Sequence, residues 1–413
     1  MRRASPEGDR SVRRQLPRPA DLAPLMGFHR PTTDHVARRL AKAHSIADLR
    51  MIARRRTPRA VFDYTDGAAE QEISLRRARA AFASLEFRPS VLRDVGSLDP
   101  SVEVLGRRSA QPFGFAPTGF TRLMNHEGEE AVARAATRAG IPYALSTLGT
   151  TSIEDVARAS GGGRLWFQLY VWRDRRAGEV LVRQAEAAGY EALILTVDTP
   201  VAGARMRDAR NGLTIPPRLT FRTVGEMALH PAWWGNLLTT RRLEFASMAG
   251  SPTAVADMIN ALFDSTMTLA DLEWLRTIWS GPLVVKGIQT VEDARRVVDA
   301  GADVVVVSNH GGRQLDRAPV PFRLLPHVVD EVGDEAEVWV DSGVLTGADV
   351  VACIAQGADL VLVGRAYLYG LMAGGERGVD RAATILADEV ARTMRLLGVR
   401  ATSELGRHHV AES

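Results

Sequence analysis

The sequence holds one cysteine, Cys353, and two lysines, Lys42 and Lys286, among 413 residues. A single thiol excludes a disulfide framework and a cysteine-ligated metal site. Cys353 lies in an apolar run beside Ile354 and reads as a small buried hydrophobe. No stretch approaches the roughly 18 uninterrupted apolar residues of a membrane-spanning helix. The Arg-rich start lacks the apolar segment of a secretory signal, although composition alone leaves a mitochondrial presequence open. A formal net charge of +3 is too small to argue for nucleic acid, and no basic surface interleaved with aromatics follows the basic start. There is no short-period repeat.

What is present is material for a large core: 46% of the residues are hydrophobic, beside an ordinary 24% that are charged. Charge is uneven, since residues 1–60 carry fifteen Arg or Lys against five Asp or Glu. Residues 1–25 are rich in Arg and Pro without apolar periodicity and read as a disordered basic arm. From about residue 110, apolar runs alternate with amphipathic helical patterns. The runs are Phe113–Ala116, Ile141–Thr147, Leu165–Tyr170, Ala192–Asp198, Leu283–Ile288, Val304–His310, Glu337–Gly343 and Leu360–Ala366. Between them, segments such as Glu127–Ala139, Ser152–Ala159, Arg176–Ala188, Val291–Ala300 and Thr346–Gln356 have helical spacing. Near-continuous apolar runs suit parallel strands buried on both faces, and eight such units predict an α/β fold of TIM (β/α)8 type.

Two additions interrupt the pattern. Roughly 85 residues separate the fourth and fifth runs, with Pro216-Pro217, Trp233-Trp234 and Leu237-Leu238 among them and an end near Phe263. Ahead of the barrel, Ile46–Ala53 and Arg59–Ala80 look helical and are placed to cap the barrel's N-terminal end or lean over its mouth. The expected organisation is an arm over 1–25, a helical extension over 26–110, a barrel over 111–400 with an insert at about 205–275, and a tail over 401–413.

Reacting groups of a TIM barrel sit at the C-terminal ends of its strands. Here those ends carry Thr118 and Gly119, Ser146, Gln168 and Tyr170, Thr196 and Asp198, Lys286, His310 and Arg313, Asp341 and Gly343, and Gly364 and Arg365. All eight are polar or glycine-bearing, which a mere scaffold does not require. Alone, His310 reads as a structural histidine. Beside Asn309, two glycines and Arg313, whose fork suits a carboxylate, it reads as a site residue. Lys286 is either a strand-end lysine reaching solvent or an ammonium aimed at a cofactor. Asp198 is either a helix N-cap or a partner that orients His310. Gly343 and Gly364-Arg365 suit a phosphate, with ordinary turn glycines as the alternative. Periodicity alone makes Tyr64 a packing residue.

These residues carry a resemblance. The chain is similar, from about residue 45 to 400, to the FMN-dependent L-2-hydroxy acid dehydrogenases and oxidases, and most to their actinobacterial L-lactate dehydrogenase branch. The shared motifs are Phe62-Asp63-Tyr64, Ala116-Pro117-Thr118-Gly119, Trp166-Phe167-Gln168-Leu169-Tyr170, Leu195-Thr196-Val197-Asp198-Thr199-Pro200, Val285-Lys286-Gly287 and Ser308-Asn309-His310-Gly311-Gly312-Arg313. The resemblance implies FMN, with its isoalloxazine on the backbone of Pro117, Thr118 and Gly119. Ser146, Gln168 and Thr196 would bind its polar edge, Lys286 would face N1 and O2, and Ser308 would touch it. Asp341, Gly343, Gly364 and Arg365 would hold the ribityl chain and phosphate. Tyr64 and Arg313 would bind the substrate carboxylate with Arg205 in support, Tyr170 would bond the hydroxyl, and His310 with Asp198 would take a proton. That proton is either the α-hydrogen or the hydroxyl proton during hydride transfer.

Two departures follow from the same comparison. Asp341-Ser342-Gly343-Val344-Leu345 replaces an Asp-Gly-Gly with an arginine two positions on, so Arg365 and backbone amides are left for the phosphate. Gly119, where oxidases often carry alanine, leans the electron acceptor away from oxygen. A quinone is the expected acceptor, and Trp233-Trp234 with Arg241-Arg242 suits peripheral contact at the inner face of the membrane; packing on the barrel is the alternative. The resemblance further implies a tetramer. The competing readings are an oxygen-using lactate oxidase or monooxygenase, an enzyme for a larger 2-hydroxy acid, and a catalytically silent FMN-binding barrel.

Overall fold

Eight parallel strands form from the eight apolar runs because each is apolar on both faces and can satisfy its backbone only within a closed sheet. In the computed structural model they are β1 (Phe113–Phe115), β2 (Tyr143–Ser146), β3 (Leu165–Leu169), β4 (Ala192–Thr196), β5 (Leu283–Ile288), β6 (Val304–Val307), β7 (Glu337–Val340) and β8 (Leu360–Val363). Every strand residue except Glu337 is buried. The strands close in the order β1 to β8, and β8 returns to β1 with Val361 opposite Phe113. The fold is a TIM barrel. Several return helices start on hydroxyl caps: Ser152 accepts from Asp155 N, Thr290 from Asp293 N and Thr346 from Asp349 N. Each such cap contributes about 1 kcal/mol.

The structure describes residues 16–22, 33–212, 225, 228–248 and 264–412. Most of the expected arm (1–15 and 23–25), Pro216-Pro217 and Phe263 lie outside these. The chain divides into two units, 1–38 and 39–413. The first has a helical turn at Pro19–Leu22; the barrel, the insert and the extension from residue 39 onward belong to the second.

The extension departs from the expectation at one point. The helix expected over Arg59–Ala80 is two, Arg59–Asp66 and Ile73–Ala83. Between them Glu70 and Glu72 take left-handed φ values of 45° and 59°. Backbone bonds from Ala69 N to Gly312 O (2.8 Å) and from Glu70 N to Ala204 O (2.7 Å) hold this break against loops at the barrel mouth. Local helical propensity yields there to tertiary hydrogen bonds. Both helices therefore lie over the mouth, and the barrel's other end is closed by a hairpin, Val102–Val104 with Arg107–Ser109. Its turn is Leu105-Gly106, both at positive φ, the arrangement that suits a two-residue hairpin. Val104 packs into a core layer with Trp166 and Trp339, whose rings stack with centroids 4.5 Å apart. Arg164 Nη2 donates to Val104 O at 2.9 Å, and Glu337 accepts from Leu105 N at 2.7 Å.

The last residues fold back onto the extension: Val410–Glu412 pairs antiparallel with Leu85–Phe87. Of the insert, the described parts include the helices Met206–Asn211 and Pro231–Thr239.

Candidate active site

The strand ends and the extension enclose a cavity of about 680 Å³, within the usual range for small-ligand sites. Of the sequence-predicted residues, Tyr64, Pro117, Thr118, Gly119, Ser146, Tyr170, Arg205, Lys286, His310, Arg313, Asp341, Gly343, Gly364 and Arg365 line it. Gln168, Thr196, Asp198 and Ser308 stand behind the wall, three of them bonded to residues that do line it. Thr196 ends β4 opposite Lys286 on β5.

At the end of β6 the chain turns sharply through His310–Gly312, with His310 itself left-handed at φ 56°. His310 Nδ1 lies 3.0 Å from Asp198 Oδ1, and the Asp198 side chain is only 1% exposed. The next helix after Asp198 starts at Met206, so Asp198 caps no helix; it serves the imidazole. Charge complementarity puts the proton on Nδ1, facing the carboxylate, and leaves Nε2 to accept another. Asp198 packs directly on Gly287, where a Cβ would come within 2.7 Å of Asp198 Cβ. Strand β5 thus presses the carboxylate against the histidine.

Two guanidiniums lie against the Tyr64 ring, Arg313 at 4.9 Å and Arg205 at 5.3 Å from its centroid. Arg313 Nη1 also donates to Tyr64 O at 2.5 Å and to Gly67 O at 3.2 Å. Burial, and then repulsion by Arg205, pushes the Arg313 pKa down to about 10. Arg205 pairs with Asp208 at 3.1 Å. An anion placed between two such cations relieves both desolvation and repulsion, so this corner is built for a carboxylate. Tyr170 is buried nearby; burial, and then Asp198, raises its phenol pKa, keeping it a proton donor.

Lys286 Nζ sits 2.8 Å from Asp341 Oδ2 and donates to Ser308 Oγ at 2.9 Å. Burial opposes its charge, but Asp341 and Asp198 outweigh that and hold its pKa above the ordinary value. The lysine is therefore a buried cation that does not reach solvent. Gln168 Oε1 accepts from Ser146 Oγ at 2.8 Å, while Gln168 Nε2 is buried without a partner among the described residues. Leaving a buried donor unpaired costs about 1–3 kcal/mol, so a group with carbonyl oxygens fits this edge. The isoalloxazine of FMN carries carbonyl oxygens of that kind, and the residues present fit it. Gly119 has a packing reason of its own: a Cβ would lie 2.8 Å from Leu148 Cβ.

Gly364 precedes the helix Arg365–Gly374, whose N-terminus opens on the cavity. The Arg365 side chain runs to the extension, donating to Thr65 O at 2.9 Å and Gly67 O at 2.7 Å. Sequence reasoning missed Arg79, which lines the cavity from the helix Ile73–Ala83 and bonds the Gly343 carbonyl and Asp349. It stands in a run of three arginines, Arg76, Arg77 and Arg79, and nothing local distinguishes it. Arg207 was missed as well; it bridges Asp66 at 3.0 Å and Glu72 at 2.6 Å, tying the start of the insert to the extension. In the insert, Trp233 Nε1 donates to Leu123 O at 2.9 Å, so this tryptophan packs on the barrel. Among the described residues no cluster of His, Cys, Asp or Glu could hold a metal ion, and no helix is long and apolar enough to cross a membrane.

The sequence profile of the FMN-dependent dehydrogenase family matches residues 53–412. A protein of Mycobacterium tuberculosis, provisionally named an L-lactate dehydrogenase, is 58% identical over 402 residues, 97% of each chain. An L-lactate dehydrogenase of Caulobacter vibrioides is 43% identical over 375 residues, 89% of this chain and 97% of the relative. Among solved structures, a monotopic membrane protein, (S)-mandelate dehydrogenase, superposes with a TM-score of 0.87 at 38% identity, covering 90% of this chain and all of the other.

Proposed function

The chain belongs to the FMN-dependent dehydrogenase family, and from that premise we propose that it oxidises L-lactate to pyruvate. The observation that carries this is one cavity lined both by a histidine backed by a buried carboxylate, at 3.0 Å, and by two guanidiniums stacked on one tyrosine. A 2-hydroxy acid needs both: a base for the proton and a cation for the carboxylate. FMN, when bound, accepts the two electrons that lactate loses and passes them on. Arg313 and Tyr64, with Arg205 beside them, hold the substrate carboxylate, and Tyr170 bonds the hydroxyl oxygen. His310 Nε2 takes a proton, and Asp198 stabilises the imidazolium that results. Whether this is the α-hydrogen or the hydroxyl proton, the same residues serve. Pro117, Thr118, Gly119, Ser146, Gln168 and Thr196 would hold the isoalloxazine, and Lys286 with Ser308 would set a positive charge beside it. Asp341, Gly343, Gly364, Arg365 and Arg79 would hold the ribityl chain and its phosphate, the guanidiniums on the phosphate and the Asp341 carboxylate on the chain's hydroxyls.

The names of the sequence relatives support lactate as the substrate; the mandelate dehydrogenase neighbours supply the second reading, a larger 2-hydroxy acid. Anaerobic bleaching of the flavin absorbance separates them. L-lactate should bleach it rapidly, D-lactate should not, and faster bleaching by (S)-mandelate than by L-lactate would reverse the assignment. We assign the onward electrons to a quinone at the inner face of the membrane. Gly119 supports this, as do exposed Leu229 and Leu238 beside exposed Arg241 and Arg242. Failure to float with anionic liposomes, together with rapid oxygen uptake, would overturn it. A tetramer is the assembly proposed, to be checked by light scattering.

A further inference from the structure

Ser342 follows Asp341 at a backbone φ of 77°, a conformation that glycine adopts without strain and serine does not. Its side chain is buried and fully used. The Oγ accepts from Gly311 N at 2.9 Å and from Asn309 N at 3.3 Å, and it donates to Asp341 Oδ1 at 2.7 Å. A hydroxyl has one proton and two lone pairs, so nothing is left over. The two amides flank His310, which is itself left-handed at φ 56°, a backbone that persists only where its surroundings hold it. On the other side, Asp341 Oδ2 pairs with Lys286 at 2.8 Å, Lys286 donates to Ser308 Oγ at 2.9 Å, and Ser308 Oγ accepts from His310 N at 3.1 Å. The ring of bonds closes through Ser342: His310 loop, Ser342, Asp341, Lys286, Ser308, and back to His310. A glycine at 342 would relieve the strain and open the ring.

We infer that Ser342 is a positioning residue that locks the His310 turn to the Lys286–Asp341 pair, setting the base and the cofactor-facing cation in one register. The inference rests on His310 being the base. Its strain is the reason to assign it a role: a serine held in this conformation, with both flanking amides of the histidine on its oxygen, does something a glycine does not.

The test compares holoenzymes carrying Ser342→Gly and Ser342→Ala. Both lose the hydroxyl, but only glycine relieves the backbone, so strain and hydrogen bonding separate. Loss of two backbone hydrogen bonds should slow anaerobic flavin bleaching at saturating L-lactate by about tenfold in both variants, with KM little changed. Amide hydrogen exchange of the peptide holding Asn309 and Gly311 should be faster in both, with FMN bound or removed. The Gly variant, in which relief of the backbone offsets part of the lost hydrogen bonding, should melt closer to wild type than the Ala variant, and wild-type circular dichroism of both at the assay temperature excludes general unfolding as the cause. Wild-type bleaching rates with wild-type exchange in the Gly variant would overturn the inference, and so would slowing confined to the Ala variant. His310→Gln is run alongside. If it bleaches normally, the reading of the base has failed and takes the inference with it; if it is inactive while both Ser342 variants behave as wild type, only the inference fails.

Discussion

Replacing Asp198 with asparagine removes a charge and almost no volume. The carboxylate lies 3.0 Å from His310 Nδ1 and is 1% exposed, and its Oδ2 has no partner among the described residues. Its interaction is therefore concentrated on the histidine. A hydrogen bond to a charged group contributes about 1.5–3 kcal/mol, which corresponds to about 10- to 150-fold in rate. Asparagine can present either its carbonyl or its amide to Nδ1, so the negative charge opposite an imidazolium is lost and the carboxylate no longer enforces the tautomer. The reduction in Asp198→Asn should thus appear in kcat. Asp198 does not line the cavity, so KM for lactate should change little. Lys286 keeps Asp341 at 2.8 Å, so FMN should stay bound. Stability should hold or rise, because a buried charge has been removed. Stopped-flow bleaching of the flavin at saturating L-lactate measures the effect directly. A rate within twofold of wild type, or a loss confined to KM, would refute the assignment of Asp198 to the imidazolium.

Arg79→Ala should weaken FMN binding by about tenfold, the cost of one charged hydrogen bond, read from flavin fluorescence on dilution of the holoenzyme. The fold should tolerate it, because Asp349 keeps the amides of Leu345 (2.9 Å) and Thr346 (3.0 Å); an unchanged dissociation constant would remove Arg79 from the phosphate site. At Asp264, hydrogen bonds from Thr266 and Arg175 hold the carboxyl pKa down at about 2. A depressed carboxylate stabilises above its ordinary value of 3.8 and ceases to as pH falls through the folded value. The melting temperature of wild type should exceed that of Asp264→Asn at pH 6, and the gap should narrow as pH falls below about 4. A gap constant down to pH 3 would contradict this.

The legible part of the molecule was local. Strands such as Val304–Val307 and Leu360–Val363 announce themselves because burial on both faces demands unbroken apolar runs. The polar residues that end them mark the mouth, because a barrel presents its strand ends there. The hairpin that turns at Leu105-Gly106 was not legible: Leu-Gly is not among the favoured two-residue turn pairs, and it falls within the extension expected to be helical. The break between Asp66 and Ile73 had a local sign in Asp66-Gly67, where the first helix ends, but its form is set by hydrogen bonds to Gly312 and Ala204.

By itself, then, the sequence determined the barrel, the mouth and the residue types available to chemistry. The tertiary structure alone decided their pairings. His310 meets Asp198 across 112 residues and Gly343 meets Arg79 across 264, distances at which no periodicity carries information. The sheet order sets the ends of β4 and β6 on either side of β5, and the extension sets Tyr64 against Arg205 and Arg313. Ser342 shows the difference most clearly. As a letter it was a departure from glycine; only its left-handed backbone, and the two amides that converge on its oxygen, make it part of the histidine's support.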